Sequence, residues 1–333
     1  MKMSKILFIG DPHLKINNLE QGLNFLNWIN EITELYKPDV VCNLGDTFDS
    51  HAVLRAEMLT EFKYHVEKVT KICPYWYVLG NHDQSSPKSS KYHALQAYNI
   101  PNLTVFDKIT QLSGITIVPY VQTPADFPLK TNKIVITHNT FIGADYGFKK
   151  EEYGVDADAV SAEIIISGHI HKRQTFGKVT YPGTPYAYNA NDIDEVKGVM
   201  LFDTATYQQT FIESPFTKWK GLQLTIDQTF DIESLHKTLH ANLDLINKWV
   251  LTISGPKVEL VKYFQSSRYV QLTADKNVIL KLVSSDLDKK QKLQIKASKD
   301  SEIVSEYVSK VYAGSIDRAL IIDKAQNILK NLQ

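Results

Sequence analysis

Two histidines flank a single isoleucine, His169-Ile170-His171, directly after the apolar run EIIISG at residues 163–168. Side chains two apart on an extended segment point the same way, so both imidazoles can address one point in space. Such a pair suits a metal, and it is also an ordinary surface turn, so the rest of the chain must decide. Four earlier apolar runs end in similar groups. KILFI leads into Gly10-Asp11-Pro12-His13, DVVCNL into Gly45-Asp46-Thr47-Phe48-Asp49, YWYVL into Gly80-Asn81-His82-Asp83, and KIVIT into His138-Asn139. Taken singly, GDP and GDT are common turn sequences, and Asn81 suits a turn. Taken together, they put Asp, Asn or His at five strand ends, and ligands of open α/β sheets bind outside the carboxyl ends of the strands. His51, His65, His93, His236 and His240 fall in helical or irregular stretches and read as structural.

The donor types limit the chemistry. Cys42 lies in an apolar run and Cys73 beside Pro74, which leaves neither a disulfide framework nor a thiolate metal site. Oxygen and imidazole ligands suit Mn, Fe, Zn or Co and disfavour calcium.

The order D-x-H, G-D-x-x-D, G-N-H-D, a histidine, then G-H-x-H resembles the calcineurin-like metallophosphoesterase superfamily, with five motifs in sequence over some 160 residues. The resemblance implies one metal held by Asp11, His13 and His171, a second held by Asn81, His138 and His169, and Asp46 bridging both. It also implies manganese. His82 would then stand near the leaving oxygen as a proton or hydrogen-bond donor, with the Asp49 carboxylate orienting its ring. Asp49 also reads as the cap of a helix beginning near His51, and the two roles are compatible.

Protein phosphatases of the superfamily carry an arginine after the second aspartate of G-D-x-x-D and a glutamate at the end of the next motif. Here Ser50 and Asp83 stand in those places, which removes a bidentate partner for a phosphomonoester. ILFIGDPHL, NLGDTFDS, VLGNHD and IISGHIHKRQ, followed by VTYPGTPYAYNANDIDEVKGVMLFDTAT, are more similar to the nuclease subunit of SbcCD-type recombination complexes and its phage relatives. That resemblance covers residues 1 to about 213. It implies a DNA-end nuclease, a 3′ to 5′ exonuclease with single-strand endonuclease activity. It also implies a homodimer and an SbcC-type coiled-coil ATPase partner. Some members have histidine where Asp49 stands, and the register of His51 makes it a poor substitute. A small-molecule phosphodiesterase or phosphatase on the same site is the competing enzyme reading, and a binding module with a relict site is the non-enzymatic one. Lys88, Lys91, Lys172 and Arg173 are the candidate DNA phosphate contacts, and each is equally an ordinary solubility residue. Tyr186 and Tyr188 either stack on bases or fill the sheet edge.

The elements that must position these residues follow from periodicity. Strands are expected at residues 5–10, 39–45, 75–80, 133–138 and 163–168, with helices over 18–36 and 52–72 between the early ones. The alternation fits an α/β or layered sheet domain over residues 1–214, for which the resemblance implies a layered α/β/β/α sandwich, with a smaller α+β domain over 215–298 and a helical segment over 299–333 that the resemblance assigns to ATPase binding. Within 299–333, Ile303, Val304, Tyr307, Val308, Val311 and Tyr312, and then Ile321, Ala325, Ile328, Leu329 and Leu332, fall on apolar helical stripes that either pack on the second lobe or on each other, or dock a helical partner. The 333 residues are 43% hydrophobic, enough for a substantial core. Net charge is zero, which argues against a polybasic coat for nucleic acid. It divides unevenly, with 19 Lys and Arg against 24 Asp and Glu in residues 1–214 and 18 against 13 in 215–333. No run approaches the roughly 20 apolar residues of a membrane span, and Asp11 and His13 interrupt the first apolar run where a signal peptide would continue. A cytoplasmic protein with no membrane partner is the expectation.

Overall fold

The computed structural model describes residues 4–285 apart from 52, 87, 88, 148, 230, 244–246 and 276. Lys88, the KLQIKA segment and the 299–333 stripes lie outside the described residues.

In chain order the first strands are β1 (Lys5–Ile9), β2 (Val40–Asn43), β3 (Tyr75–Val78), the hairpin β4 (Gln84–Ser86) and β5 (Ser89–His93), β6 (Leu103–Phe106), β7 (Thr110–Leu112) and β8 (Ile115–Val118). There follow β9 (Ile134–Thr137), β10 (Ile164–Ser167), β11 (Gln174–Phe176), β12 (Val179–Tyr181), β13 (Gly198–Asp203) and β14 (Gln209–Glu213). They form two six-stranded sheets, ordered β14-β13-β1-β2-β3-β6 and β11-β12-β10-β9-β8-β7. Strands β1, β2, β3 and β6 run parallel, as do β8, β9, β10 and β12, so the ligand-bearing ends of β1, β2, β3, β9 and β10 are all carboxyl ends.

Both sheets are covered on both faces, which is why their strands read as continuous apolar runs and not as alternating ones. In β1, Ile6 and Phe8 enter the core between the sheets with Ile136 and Ile166. Leu7 and Ile9 face the opposite way and join the helical layer. That layer consists of α1 (Leu19–Tyr36) and α2 (Ala56–Val69). Phe25, Leu26, Ile29 and Ile32 recur at helical spacing along α1 and bury that face. The helix stops where Lys37 takes a left-handed conformation (φ 45°) and Pro38 follows. The layered α/β sandwich expected from the sequence is thus present. Over the second sheet, the outer layer is the connecting segment around Phe127, Phe141 and Val155, with one 3-10 turn at Pro124–Asp126.

Two sequence expectations change here. Helix α2 begins at Ala56, after an extended Arg55, and not near residue 52, so Asp49 caps no helix. Strands β4 to β8 and β11 are the second difference, since none of them was expected from the sequence.

After β14, β15 (Trp219–Thr225), β16 (Lys248–Gly255) and β17 (Val278–Ser284) form a separate sheet whose strands are all parallel. Helices α3 (Ile232–Asn242), α4 (Lys257–Phe264) and α5 (Ser267–Thr273) make the crossovers. Leu239, Leu251, Ile253 and Tyr263 give this lobe its own core. It joins the sandwich at Trp219, which packs with Ala187 and Val250 and whose carbonyl accepts from Asp194 N at 2.8 Å. No described helix is long and apolar enough to cross a membrane.

Candidate dimetal centre

Three of the five strand ends, those of β1, β2 and β10, turn through left-handed backbone to place their side chains. Asp11, His13, Asp46 and His169 all have positive φ, at 35°, 41°, 51° and 82°. Such backbone costs about 1–3 kcal/mol per residue and persists where the surroundings over-determine it, typically at functional sites. Close approach is the second requirement. A Cβ on Gly80 would lie 2.7 Å from Asp46 N, and one on Gly45 (φ 106°) would lie 2.8 Å from His138 Nδ1.

Two clusters of ligand-type atoms result. Asp11, His13 and His171 form one, and Asp46, His138 and His169 the other, with the atoms of each within 4.8 Å of one another. The Asp46 carboxylate stands between them, its Oδ2 3.1 Å from His138 Nε2 and 3.9 Å from His13 Nε2. Asn81 completes the second cluster, with Oδ1 2.8 Å from His169 Nδ1 and 3.2 Å from His138 Nε2.

The donor set fits cations. His138 Nδ1 donates to Leu44 O at 2.6 Å, so Nε2 is the ring atom turned to Asn81 Oδ1, Asp46 Oδ2 and His169 Nδ1, where a cation can take the place of a proton. In the first cluster, His13 Nε2 meets His171 Nε2 at 3.0 Å, while buried Asp11 Oδ2 has no hydrogen-bond partner. Buried polar atoms left unpaired are uncommon, and a site collecting acceptors with too few protons suits divalent ions. Electrostatics agree. Burial pushes Asp11 up to about 7, with Asp46 adding to the rise. Burial opposes charging His138, yet Asp46 beside it lifts that imidazole to about 9. His169 is driven down to about 3 by burial and by His138.

His82 lies beside this centre. Its backbone N–H donates to Asp46 Oδ1 at 2.7 Å, and its Nδ1 donates to the backbone carbonyl of Asp49 at 2.9 Å. The sequence reading paired His82 with the Asp49 carboxylate. That carboxylate instead lies 3.7 Å from His13 Nδ1 and 3.6 Å from Lys15 Nζ. His51, read as structural, stacks on His82 with ring centroids 4.3 Å apart and planes at 20°.

Other residues around the centre were missed. Asp83 is buried, and its Oδ2 accepts from Asp46 N and Gly80 N, both at 2.8 Å. Its Oδ1 takes Tyr77 OH at 2.6 Å and Thr47 N at 3.2 Å, so one carboxylate ties two ligand-bearing loops together. Tyr186 and Tyr188 both donate to Pro12 O, the latter at 2.7 Å, and the Tyr188 ring stacks on His171 at 5.7 Å. They brace the Asp11–His13 turn, which is neither the base-stacking nor the edge-filling role that the sequence suggested for those tyrosines. Buried Lys197 holds Asp192 at 2.7 Å and Glu195 at 2.6 Å and donates to His171 O at 3.0 Å. The acid-rich stretch NDIDEVKG was the available signal for it.

The candidate phosphate contacts are partly occupied. Lys172 pairs with Asp145 at 2.5 Å, Arg173 lies over Phe211 at 4.0 Å, and Lys91 lies over Tyr92 at 5.1 Å.

Residues 4–173 match the family described as calcineurin-like phosphoesterase. The chain is 32% identical over 204 residues to a protein of Invertebrate iridescent virus 6 named as phosphoesterase 244L, covering 55% of this chain and 71% of that one. It is 28% identical over 198 residues to one of Invertebrate iridescent virus 3 named as phosphoesterase 078R, covering 54% and 56%. Exonuclease subunit 1 of Enterobacteria phage T4 is 22% identical over 236 residues, covering 64% and 68%.

Proposed function

Because the chain belongs to the calcineurin-like phosphoesterase family, we propose that it is a two-metal phosphodiesterase that processes DNA ends, a manganese-dependent 3′ to 5′ exonuclease with endonuclease activity on single strands. The observation that carries this reading is the pair of acceptor-rich clusters on either side of Asp46. Support for a nucleic-acid diester comes from likeness to a phage protein named as an exonuclease subunit. The surroundings of Ser50 agree. The next Lys or Arg in the chain, Arg55, pairs with Glu57 at 3.1 Å, Lys15 is drawn to the Asp49 carboxylate at 3.6 Å, and the Asp83 carboxylate is taken up by backbone and tyrosine donors.

Asp11, His13 and His171 would hold one ion, Asn81, His138 and His169 the other, and Asp46 both. Bound there, divalent ions supply charge neutralisation for the phosphoryl oxygens and a lowered pKa for water. The chain's own residues do the remainder. Leu44 O fixes the His138 tautomer, Asp83 fixes the spacing of the Asp46 and Gly80 loops, and Tyr188 holds His13 and His171 in place. With Nδ1 held by Asp49 O, the His82 ring presents Nε2 to the departing oxygen and, when protonated, gives it a proton as the P–O bond breaks.

The protein acts as the nuclease subunit of an ATP-dependent recombination or repair complex, as a homodimer, with an SbcC-type coiled-coil ATPase docking on the apolar stripes of 299–333. Residues 215–298 orient duplex DNA beside the metals. The two viral relatives named as phosphoesterases favour the second reading, a small phosphodiester substrate. End-labelled duplex and single-stranded DNA incubated with Mn²⁺, Mg²⁺ or chelator separates the two. The expected result is Mn²⁺-dependent shortening that His82→Ala abolishes with both ions still bound. DNA left intact while a chromogenic diester is hydrolysed would favour the small substrate. Removing 300–333 is expected to abolish ATPase co-purification and spare basal cleavage.

A further inference from the structure

Beside the second cluster the surface opens into a cavity of about 180 Å³ lined by His169, Tyr120, Gln122, Glu151, Tyr153 and Gly154. It shares a ligand histidine with the metal centre, and the Tyr120 ring lies 5.8 Å from the His169 ring at 36°. The walls are fixed. Tyr120 N donates to Leu79 O at 2.8 Å, and Asn139 clasps the flanking residues, accepting from Val121 N at 3.0 Å and donating to Pro119 O at 3.0 Å. Opposite, Val155 N donates to Thr140 O at 2.9 Å, and a Cβ on Gly154 would lie 2.7 Å from that same carbonyl.

The lining selects its occupant. No Lys or Arg is among the described residues that form it, although it adjoins the place where an anionic phosphate would bind. Two phenols, an amide and a carboxylate suit a flat, uncharged ring with hydrogen-bond donors and acceptors on its edge. The Glu151 carboxylate is held at the mouth by Tyr153 N at 3.3 Å and Lys149 Nζ at 3.1 Å. Tyr153 is 70% exposed, a large aromatic surface left open beside a metal-type site. The volume is below the roughly 300–1,000 Å³ of pockets that enclose a whole drug-sized ligand, so it holds one ring system and not a complete nucleotide.

We propose that this cavity receives the base of a nucleotide flanking the scissile phosphate, stacked against Tyr120 with Tyr153 closing over it. The proposal rests on the phosphodiesterase reading above and gives it a base-binding subsite. Base-on-aromatic stacking puts the expected gain at about tenfold in kcat/KM.

The test compares oligodeoxynucleotides that differ only in whether the two terminal nucleotides carry bases or are abasic, with methyl p-nitrophenyl phosphate as a diester lacking any base. In Mn²⁺ the wild-type protein is expected to prefer the base-bearing end about tenfold. Tyr120→Leu should bring that ratio close to one, Tyr120→Phe should keep it, and Tyr153→Ala, at an exposed position, should lower it without risk to folding. Calorimetric Mn²⁺ binding distinguishes loss of base contact from loss of the metal site in Tyr120→Leu. If that variant loses metal, Tyr153→Ala decides the matter. Equal rates on base-bearing and abasic ends, or a preference that survives both Tyr120→Leu and Tyr153→Ala, would overturn the subsite while leaving the phosphodiesterase reading intact. Failure to hydrolyse any of the diesters would overturn both.

Discussion

Replacing Asp83 by alanine and by asparagine should give very different results, and the difference follows from its four partners. Alanine removes every acceptor. Thr47 N keeps a bond to Tyr77 OH at 3.2 Å, but Asp46 N and Gly80 N lose their 2.8 Å partner and the Tyr77 hydroxyl its 2.6 Å acceptor in a buried site. Each of these three orphaned buried donors costs about 1–3 kcal/mol, for a gross total of about 3–9 kcal/mol. Part of that is offset because the carboxylate is itself unfavourably placed, pushed up to about 6 by burial and by Asp46. Asparagine keeps an oxygen for Asp46 N and Gly80 N, relieves the repulsion with Asp46, and turns its amide to Tyr77 OH, which can accept. The Tyr77 proton alone is left without its acceptor, so the expected cost is about 1–3 kcal/mol, part of it offset by the relieved repulsion. Urea unfolding at pH 7 in chelator measures both, provided the denaturant slopes agree. An alanine variant losing less than about 1 kcal/mol, or an asparagine variant as unstable as alanine, would refute the bracing role.

Three further outcomes are expected. Gly80→Ala forces a methyl group against Asp46 N and should weaken Mn²⁺ binding at least about tenfold while circular dichroism stays native, and unchanged affinity would contradict the close approach. Burial drives His65 down to about 3, well under the unfolded value of about 6.5, so between those pH values the unfolded chain binds the extra proton and stability falls as pH drops. His65→Gln should remove about 1.4 kcal/mol per pH unit of that slope, read from unfolding in chelator at pH 6.5 and 5, and an unaltered slope would count against it. Because Lys172 is engaged by Asp145, Lys172→Ala should change the salt slope of DNA binding by well under one, whereas a full unit would reveal a direct phosphate contact.

The strands ending at Ile9, Asn43, Val78, Thr137 and Ser167 were legible because each is buried on both faces and so reads as an unbroken apolar run. The glycines before Asp11, Asp46, Asn81 and His169 marked the turns that follow. Strand β8 is equally buried and as long as β2, β3, β9 and β10, but it lacks a polar ending to mark it. Long-range partners left no local trace. Asp83 reaches Asp46 and Thr47 in another loop, and Tyr188 reaches Pro12 across 176 positions. The start of α2 decided the remainder. With residues 53–55 outside the helix, Asp49 offers His82 its carbonyl and His51 its ring, neither of which spacing alone could indicate.

The most direct test of the dimetal reading is anomalous scattering at the manganese edge from crystals grown with Mn²⁺. The expected result is two peaks per chain about 3.5–4 Å apart, with the Asp46 carboxylate between them. Asp11, His13 and His171 should surround one peak, and Asn81, His138 and His169 the other. A single peak, or ions bound away from Asp46, would contradict it.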